Sequence, residues 1–494
     1  VDRTQIIGTE VEYGITVVGD TTANPVTSSA AVVNAYAGGA DRIRWSFDDE
    51  TPGRDARGFS LGHASIDETD SGLVNSVLHN GARLYVDHAH PEYSSPECSD
   101  PMEATLHDKA GEVVMHRAST TANSQLPSGH RILLHKNNSD GKGNSYGAHE
   151  NYLVSRSVPF GGLARHVTAF LVSRQILTGS GKVGSEHGRR DVTFQLTQRA
   201  DFFEEEIGLE TTLKRPIVNT RDEPHADPGR YRRLHVIFGD ANLSEIQTFV
   251  KLGALNLFLM ALEDGALDEP IVLEDPVRAV TTVSHDLTGT AVLAVKDGST
   301  SCALDLQWTY LEVLETYANE SAVGPVYKQV LDEWRRLLDD LTVGYERVSD
   351  RLDWAAKLSI LEGFRQRDGL DWGDPKLKLL DLQYHDVDPG RGLYHRLVAS
   401  GRMRRLFTDR EVELAVSQAP EGTRAWFRGE ALRRYGDAVV AANWDSLVFD
   451  IGESNLRRVP MMEPGRGTRA LVEDLFLASP DAATLIKRLG GDDD

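Results

Sequence analysis

The stretch that most constrains the fold is IIGTEVEYGITVV, residues 6–18. Ile6, Ile7, Val11, Tyr13, Ile15, Val17 and Val18 are strand formers. In a strand, residues two apart share a face. Gly8, Glu10, Glu12 and Gly14 therefore project together, opposite Thr9, Val11, Tyr13 and Ile15. Adjacent carboxylates repel each other and are costly to desolvate. A packed sheet containing this strand must open that face to water or bind something positive there.

The pattern along the chain predicts strands at 4–18, 82–88, 131–135, 149–157, 191–199 and 231–239. LSEIQTFVKLGALNLFLMALEDG opens with Ser244 and Gln247 at capping-box spacing and then turns almost wholly apolar, as a buried helix would. Helices at 303–318, 326–341 and 353–366 follow, each polar on one side. Strands early and helices later give an α+β class. Thr408 and Glu411 repeat the capping-box spacing, and a helix at 423–435, a strand at 438–451 and a helix at 468–477 come after. The predicted organisation is a large domain over 1–415 and a small C-terminal domain over 416–494. Residues 38–72 show no sustained period, and loops beyond ~12–15 residues are usually functional or disordered. Trp45, Phe47 and Phe59 favour a flexible loop that docks over a plain disordered insertion.

Charge narrows the function. With 75 acidic and 53 basic residues the net charge is −22, which argues against nucleic-acid or anionic-membrane binding. Two cysteines cannot build a zinc framework and suit a reducing compartment. No apolar run approaches the ~20 residues of a bilayer span, and no signal peptide is visible in VDRTQIIGTE. A cytoplasmic protein is the expectation.

The densest chemistry lies in NGARLYVDHAHPEYSSPE, residues 80–97. After the Asn80-Gly81 turn, a strand puts Arg83, Tyr85 and Asp87 on the face opposite Leu84 and Val86, and Glu92 follows Pro91. The plain reading is a polar strand bordering solvent. Together with Glu10 and Glu12, however, these carboxylates make a hard, oxygen-rich site suited to Mg²⁺, which favours a few carboxylates plus substrate phosphates. In GNSYGAHENYLVSRSV, His149 and Asn151 face opposite Glu150 and Tyr152. The calcium-loop likeness at Asn138, Asp140 and Gly143 fails because Lys142 and His149 fall at ligand positions. TGSGKVGS lacks the first glycine and the final Ser/Thr of a P-loop. Arg199, Arg221, Arg232 and Arg233 are candidates for phosphate or carboxylate groups, against ordinary surface pairing.

GTEVEYG, NGARLYVD, HPEYSSPE, KNNSDGKGNSYGAHENYLV, TRDEPHADPGRYRRLHVIFGDAN, SHDLTG, YHDVDPGRG and TRAWFRGE together resemble the Pup ligase and depupylase family, over nearly the whole chain and in consistent order. The family acts on the prokaryotic ubiquitin-like protein Pup. The resemblance implies a glutamine-synthetase-like carboxylate–amine ligase fold, a curved antiparallel sheet backed by helices with a small C-terminal domain. Glu10, Tyr85 and Glu92 match magnesium positions, with Glu12 a second metal or metal-water ligand. Arg83 matches an ATP contact, Ser95 stands where the ligases have a nucleotide-contacting threonine, and Trp444 matches a tryptophan near the adenine. Asp87 matches the catalytic aspartate. Arg199, Arg221, Arg232, Arg233 and His149 are the candidates for substrate binding.

Two features point to the depupylase branch. The segment 38–72 with GRDARGF inside resembles a loop the ligases lack, and DHAHPEY is one residue shorter than the ligases' usual spacing. The implied activity is hydrolysis: deamidation of Pup's C-terminal glutamine and cleavage of the isopeptide bond to substrate lysines. ATP, or ADP plus phosphate, and Mg²⁺ would be bound and not consumed. The implied partners are Pup and pupylated proteins, with a link to the bacterial proteasome system, and a monomer is expected. A Pup–protein ligase, a small-molecule carboxylate–amine ligase and an inactive Pup-binding module are the rivals.

Overall fold

The computed structural model describes residues 5–37, 43–47, 50–60, 74–186 and 188–490. The expected strand 4–18 breaks at Tyr13. β1 (Ile7–Glu12) enters the main sheet, whereas β2 (Gly14–Val18) pairs antiparallel with β7 (Arg131–His135). Tyr13 is fully buried, and its amide donates to the Pro91 carbonyl (2.9 Å), which turns the chain from one sheet to the other.

The main sheet has six strands. β4 (Asn75–Val77), β5 (Arg83–Asp87), β6 (His90–Ser94), β8 (Ala148–Ser155) and β13 (Tyr231–Val236) join β1 in the order β13-β8-β1-β6-β5-β4, every pair antiparallel. Its back face is apolar. Ile7, Tyr152, Val154 and Leu234 meet the helices Phe160–Ser173 and Glu245–Glu263, and Val11, Leu84 and Tyr93 meet the helix Pro101–Asn123. A polar front face is left over by the period of two. This α+β architecture, an antiparallel sheet backed by helices, is the predicted class.

Helix ends follow their local chemistry. Asp100 caps the helix Pro101–Asn123 by accepting from Met102 N (2.8 Å) and Glu103 N (2.9 Å), with Pro101 in the first turn. The Thr408–Glu411 capping box forms. The Ser244–Gln247 box forms only by half: Ser244 accepts from Gln247 N, but the Gln247 side chain is drawn away to Gly179 O and Asp353 N. The helix it opens, Glu245–Glu263, is 19 residues and apolar enough to cross a membrane by length and composition, which corrects the expectation that nothing approached that length. Its apolar window is 89% buried inside the fold, so it is a core helix here.

Two strand expectations change. Of 191–199 only Phe194–Gln195 (β10) pairs, with Lys182–Val183 (β9), because Leu196 N goes to Ser284 O and Gln198 N to Asp240 instead of a ladder. Strand 438–451 is a hairpin, β16 (Val439–Ala442) and β17 (Ser446–Phe449), with Asn443 Oδ1 accepting the amides of Asp445 and Ser446 across the turn. Two short pairs lie elsewhere: β11 (Phe203–Gly208) parallel to β12 (Arg215–Asn219), and β14 (Leu293–Ala294) with β15 (Thr300–Ser301).

The C-terminal sheet runs β18 (Arg457–Pro460), β17, β16 and then β3 (Arg44–Trp45), which lies parallel to β16. A third apolar cluster gathers Phe427, Leu432, Leu447, Phe449 and Phe476 with Ile43 and Trp45. Part of the expected 38–72 loop is thus fixed: 43–47 joins this cluster, and Ala56 N donates to Thr220 O (2.8 Å). Residues 38–42, 48–49 and 61–72 of that loop lie outside the described residues.

Candidate active site

Register places the polar side chains. Glu10 pairs with Ser94 and His149, Glu12 with Glu92, Tyr85 with Glu92, Arg83 with Ser94, and Asn151 with His235. Residues paired across antiparallel strands share a face. The front face therefore carries Arg233, His235, His149, Asn151, Glu10, Glu12, Glu92, Tyr85, Arg83 and Asp87.

The carboxylates form two groups. Glu12, Asp87 and Glu92 bring one oxygen each within 4.8 Å of one another, and Glu10 does the same with His149 and His235. Glu10 accepts from Asn151 Nδ2 (2.9 Å), with His149 Nδ1 at 3.2 Å and Arg233 Nη1 at 3.6 Å. Burial pushes the Glu10 carboxyl up, but His149, His235 and Arg233 outweigh it and hold it well below the usual range. Glu12 accepts from Gly147 N (2.7 Å) and lies 3.1 Å from His90 Nδ1. Glu92 has no such cation. Burial first, then Asp87, Glu12 and Glu10, push its carboxyl well above the usual range, and its Oε2 is buried without a partner. A buried, unpaired acceptor among like charges is satisfied either by a proton or by a cation.

Asp87 closes β5 at a two-residue hairpin loop, and its side chain stays 38% exposed. His88 takes φ 51°, a position usually left to glycine, and puts Nδ1 3.1 Å from Asp87 Oδ2. That bond lifts His88 to about 9, and against burial it holds Asp87 below the ordinary value. Asp87 is thus an ionised carboxylate open to solvent beside two others, a geometry suited to attack on a carbonyl or to activation of water.

A pocket opens beside Glu10, between the sheet and the C-terminal segment. Glu10, Ser95, Arg233 and Trp444 line it along with Ile6, Leu153, Pro224 and Pro464, so it has apolar walls, an aromatic ring and a cation at the carboxylate end. Ser95 Oγ accepts from Thr9 N (2.9 Å) and donates to Pro96 O (3.1 Å). Trp444 sits on the β16–β17 turn. Apolar walls, an aromatic ring and a guanidinium together are a lining that accommodates a nucleotide.

Other assigned residues sit differently. Tyr85 faces the cluster, but its ring also stacks on Arg83, whose guanidinium lies 3.9 Å from Tyr85 and 4.0 Å from Trp45. Arg83 does not line the pocket and donates to Asn75 Oδ1 (2.7 Å). Arg232 must be corrected: it pairs with Val154 on the back face, 5.7 Å over the Phe160 ring, away from the site. Reading RR as one cluster ignored the strand period. Arg199 is buried beyond β13 and donates to Ile237 O (2.6 Å) and Gly239 O (3.3 Å). His149 belongs with Glu10. Sequence reasoning missed His90 and Glu97, and named His235 only as part of the basic stretch YRRLHV; the register of HENYLV against RRLHV is what brings it to Glu10 and His149.

A sheet face crowded with carboxylates and histidines, beside a pocket walled by apolar side chains and a tryptophan, is the setting of a nucleotide-binding enzyme. The chain matches the family described as Pup-ligase protein over residues 5–448, and it belongs to that family. It is 51% identical to a depupylase of Acidothermus cellulolyticus, over 99% of both chains. It is 50% identical to the Pup deamidase/depupylase of Mycolicibacterium smegmatis, over 98% of this chain and 99% of that one. A Pup–protein ligase of Nakamurella multipartita is 40% identical over 82% of this chain and 90% of its own. Among solved structures, the Pup ligase PafA in complex with Pup superposes with TM-score 0.83 at 31% identity, covering 96% of this chain and 91% of that one. PafA in complex with ADP gives 0.74 at 33%, covering 85% and 95%.

Proposed function

We propose that this protein is the hydrolase of the pair: it deamidates the C-terminal glutamine of Pup and cleaves the isopeptide bond between Pup and lysines of pupylated proteins. Supporting this branch, relatives named depupylase match 98–99% of the chain, and the ligase relative 82%. The observation that carries the chemistry is Asp87, ionised and solvent-open beside Glu12 and Glu92 on the front face of the sheet.

In deamidation, the side-chain amide and one water give a carboxylate and ammonia, so no ATP is spent. Asp87 either attacks the carbonyl, forming a mixed anhydride that water then opens, or takes a proton from the attacking water. The geometry serves both. Glu10, Glu12 and Glu92 would hold Mg²⁺, with the Tyr85 hydroxyl alongside, and Ser95, Arg233 and Trp444 would seat ATP. Bound there, the cation supplies positive charge for the developing oxyanion. His88 keeps Asp87 charged, and Arg221 and Arg233 offer cations to anionic groups.

The test supplies Pup ending in glutamine, Mg²⁺ and either ATP or a non-hydrolysable analogue, and follows ammonia and ADP together. Ammonia with either nucleotide, without stoichiometric ADP, is expected. ADP formed only with glutamate-ended Pup and a lysine-bearing protein would assign the ligase instead. Asp87→Asn is expected to lose about 10²–10⁴-fold in rate while nucleotide binding survives, and Glu10→Ala to lose both. Cleavage persisting in Asp87→Asn would remove the central role.

A further inference from the structure

Trp45 touches two parts of the molecule at once. Its strand, β3, lies parallel to β16, with Ala442 opposite Trp45 and Ser46 N donating to Ala442 O (2.9 Å). The side chain is buried and meets three groups from separate stretches of the chain. Its ring stands edge-to-face with Trp444, centroids 5.2 Å apart and planes at 73°. The Arg83 guanidinium lies 4.0 Å from its ring centroid. The indole Nε1 donates to Glu50 Oε1 (2.6 Å).

Arg83 is held from several directions. Tyr85 supplies a second ring at 3.9 Å, Nε donates to Asn75 Oδ1 (2.7 Å), and Nη1 lies 3.9 Å from Glu50 Oε1. A guanidinium is attracted to the faces of aromatic rings, so Trp45 and Tyr85 are joined through it. The Tyr85 hydroxyl in turn lies 3.4 Å from Ser94 Oγ. Both Ser94 and Trp444 line the pocket beside Glu10. The contacts therefore make a circuit. It leaves the pocket wall at Trp444, passes through Trp45, Arg83 and Tyr85, and returns to the wall at Ser94.

Apolar burial accounts for Trp45 against Ile43 and the C-terminal cluster. It does not account for one indole that meets a pocket-lining ring, a cation and a carboxylate together. We propose that Trp45 is a positioning residue for the nucleotide pocket: it braces Trp444 at the wall and fixes the Arg83–Tyr85 pair behind Ser94. Contacts between aromatic rings depend on tilt and offset, so a tryptophan that packs on a base works only if its own tilt is held. Without the Trp45 ring, Trp444 loses its edge-to-face neighbour and Arg83 keeps one ring of two. The proposal rests on the reading of this pocket as a nucleotide site.

The experiment measures Mg²⁺–ADP binding to the full chain by titration calorimetry, at a temperature where circular dichroism shows each variant folded. Trp45→Leu keeps an apolar side chain and removes the ring; Trp45→Phe keeps a ring. Trp45→Leu is expected to weaken ADP binding about tenfold, and Trp45→Phe by less than about threefold. Trp45→Met, unbranched and able to fill an irregular gap, stands in if Trp45→Leu does not fold. On the Trp444→Leu background, the loss caused by Trp45→Leu is expected to shrink to about threefold or less, because much of its effect runs through that ring. Leu and Phe variants that bind ADP alike would show that the ring itself does nothing, and overturn the proposal. An undiminished loss on the Trp444→Leu background overturns it too. Wild-type binding with Trp45→Leu unaffected overturns the proposal alone, whereas a wild-type protein that binds no ADP overturns the nucleotide reading and the proposal with it.

Discussion

Glu92 is the residue whose environment says most. Its carboxyl is pushed well above the usual range by burial and by Asp87, Glu12 and Glu10. A carboxyl raised in the folded protein favours its protonated form, so its contribution to stability is present at low pH and is lost as pH rises through the folded value. Without a cation, folding at neutral pH must oppose this charge; a bound divalent cation relieves it. The stabilisation by Mg²⁺, measured as the difference in Tm with and without chelator, is therefore expected to be largest at neutral pH and to shrink as the buffer is made acidic. Calorimetry in buffers of different ionisation enthalpy should show proton release on Mg²⁺ binding. A difference that grows toward low pH would remove the cation from Glu92. The presence of these carboxylates on polar strand stretches was legible from the E-x-E spacing and from HPE. The division into Glu12–Asp87–Glu92 and Glu10–His149–His235 was not, because it depends on register between strands more than a hundred residues apart.

At the level of elements, the site exists because the back of the sheet packs closely. In the helix Pro101–Asn123, a Cβ on Gly111 would stand 2.4 Å from Tyr93 Cδ1 of β6, the strand whose other face carries Glu92. Gly111→Ala is expected to destabilise the protein by about 1–3 kcal/mol through overpacking, less any gain in helix propensity of about 1 kcal/mol. Urea denaturation measures it. A stability unchanged or raised would show that the helix can lift off the strand freely. Helix 101–123 itself escaped the sequence reading, whereas the polar-faced helices 303–320, 325–343 and 353–368 were found, because their apolar residues recur at helical spacing. The strands at 191–199 and 438–451 were misread for the opposite reason: alternation was present, but buried side-chain bonds and an Asn443 turn decided the backbone.

Across the whole molecule, one carboxylate links the two ends of the chain. Glu97 is paired with Arg424 Nε (2.7 Å) and with Arg428, while Arg428 also donates to Gly81 O (2.9 Å) and Trp444 O (3.0 Å). Burial alone would push Glu97 up, but Arg428 and Arg424 bring it down to about 2. A carboxyl lowered in this way adds stability above its unfolded value near 4.5, and that contribution is lost only as pH falls through about 2. Glu97→Gln leaves two buried guanidinium groups unmatched, so a loss of about 3–5 kcal/mol is expected, together with weaker nucleotide binding because Trp444 loses its support. Nucleotide affinity unchanged in a folded Glu97→Gln protein would separate the clamp from the pocket.

The sequence by itself determined which strands have a polar face, that Glu10, Glu12, Asp87 and Glu92 belong to polar strand stretches rich in carboxylates, and the α+β class. Those are local properties, fixed by a period of two and by residue chemistry. Only the tertiary structure decided that Arg232 turns to the back while Arg233 faces the site, that segment 50–60 is fastened beside Arg221, and that Glu97 joins TRAWFRGE to the pocket. Each of these depends on which distant strands pair and in what register, and a single chain's spacing carries no record of that pairing.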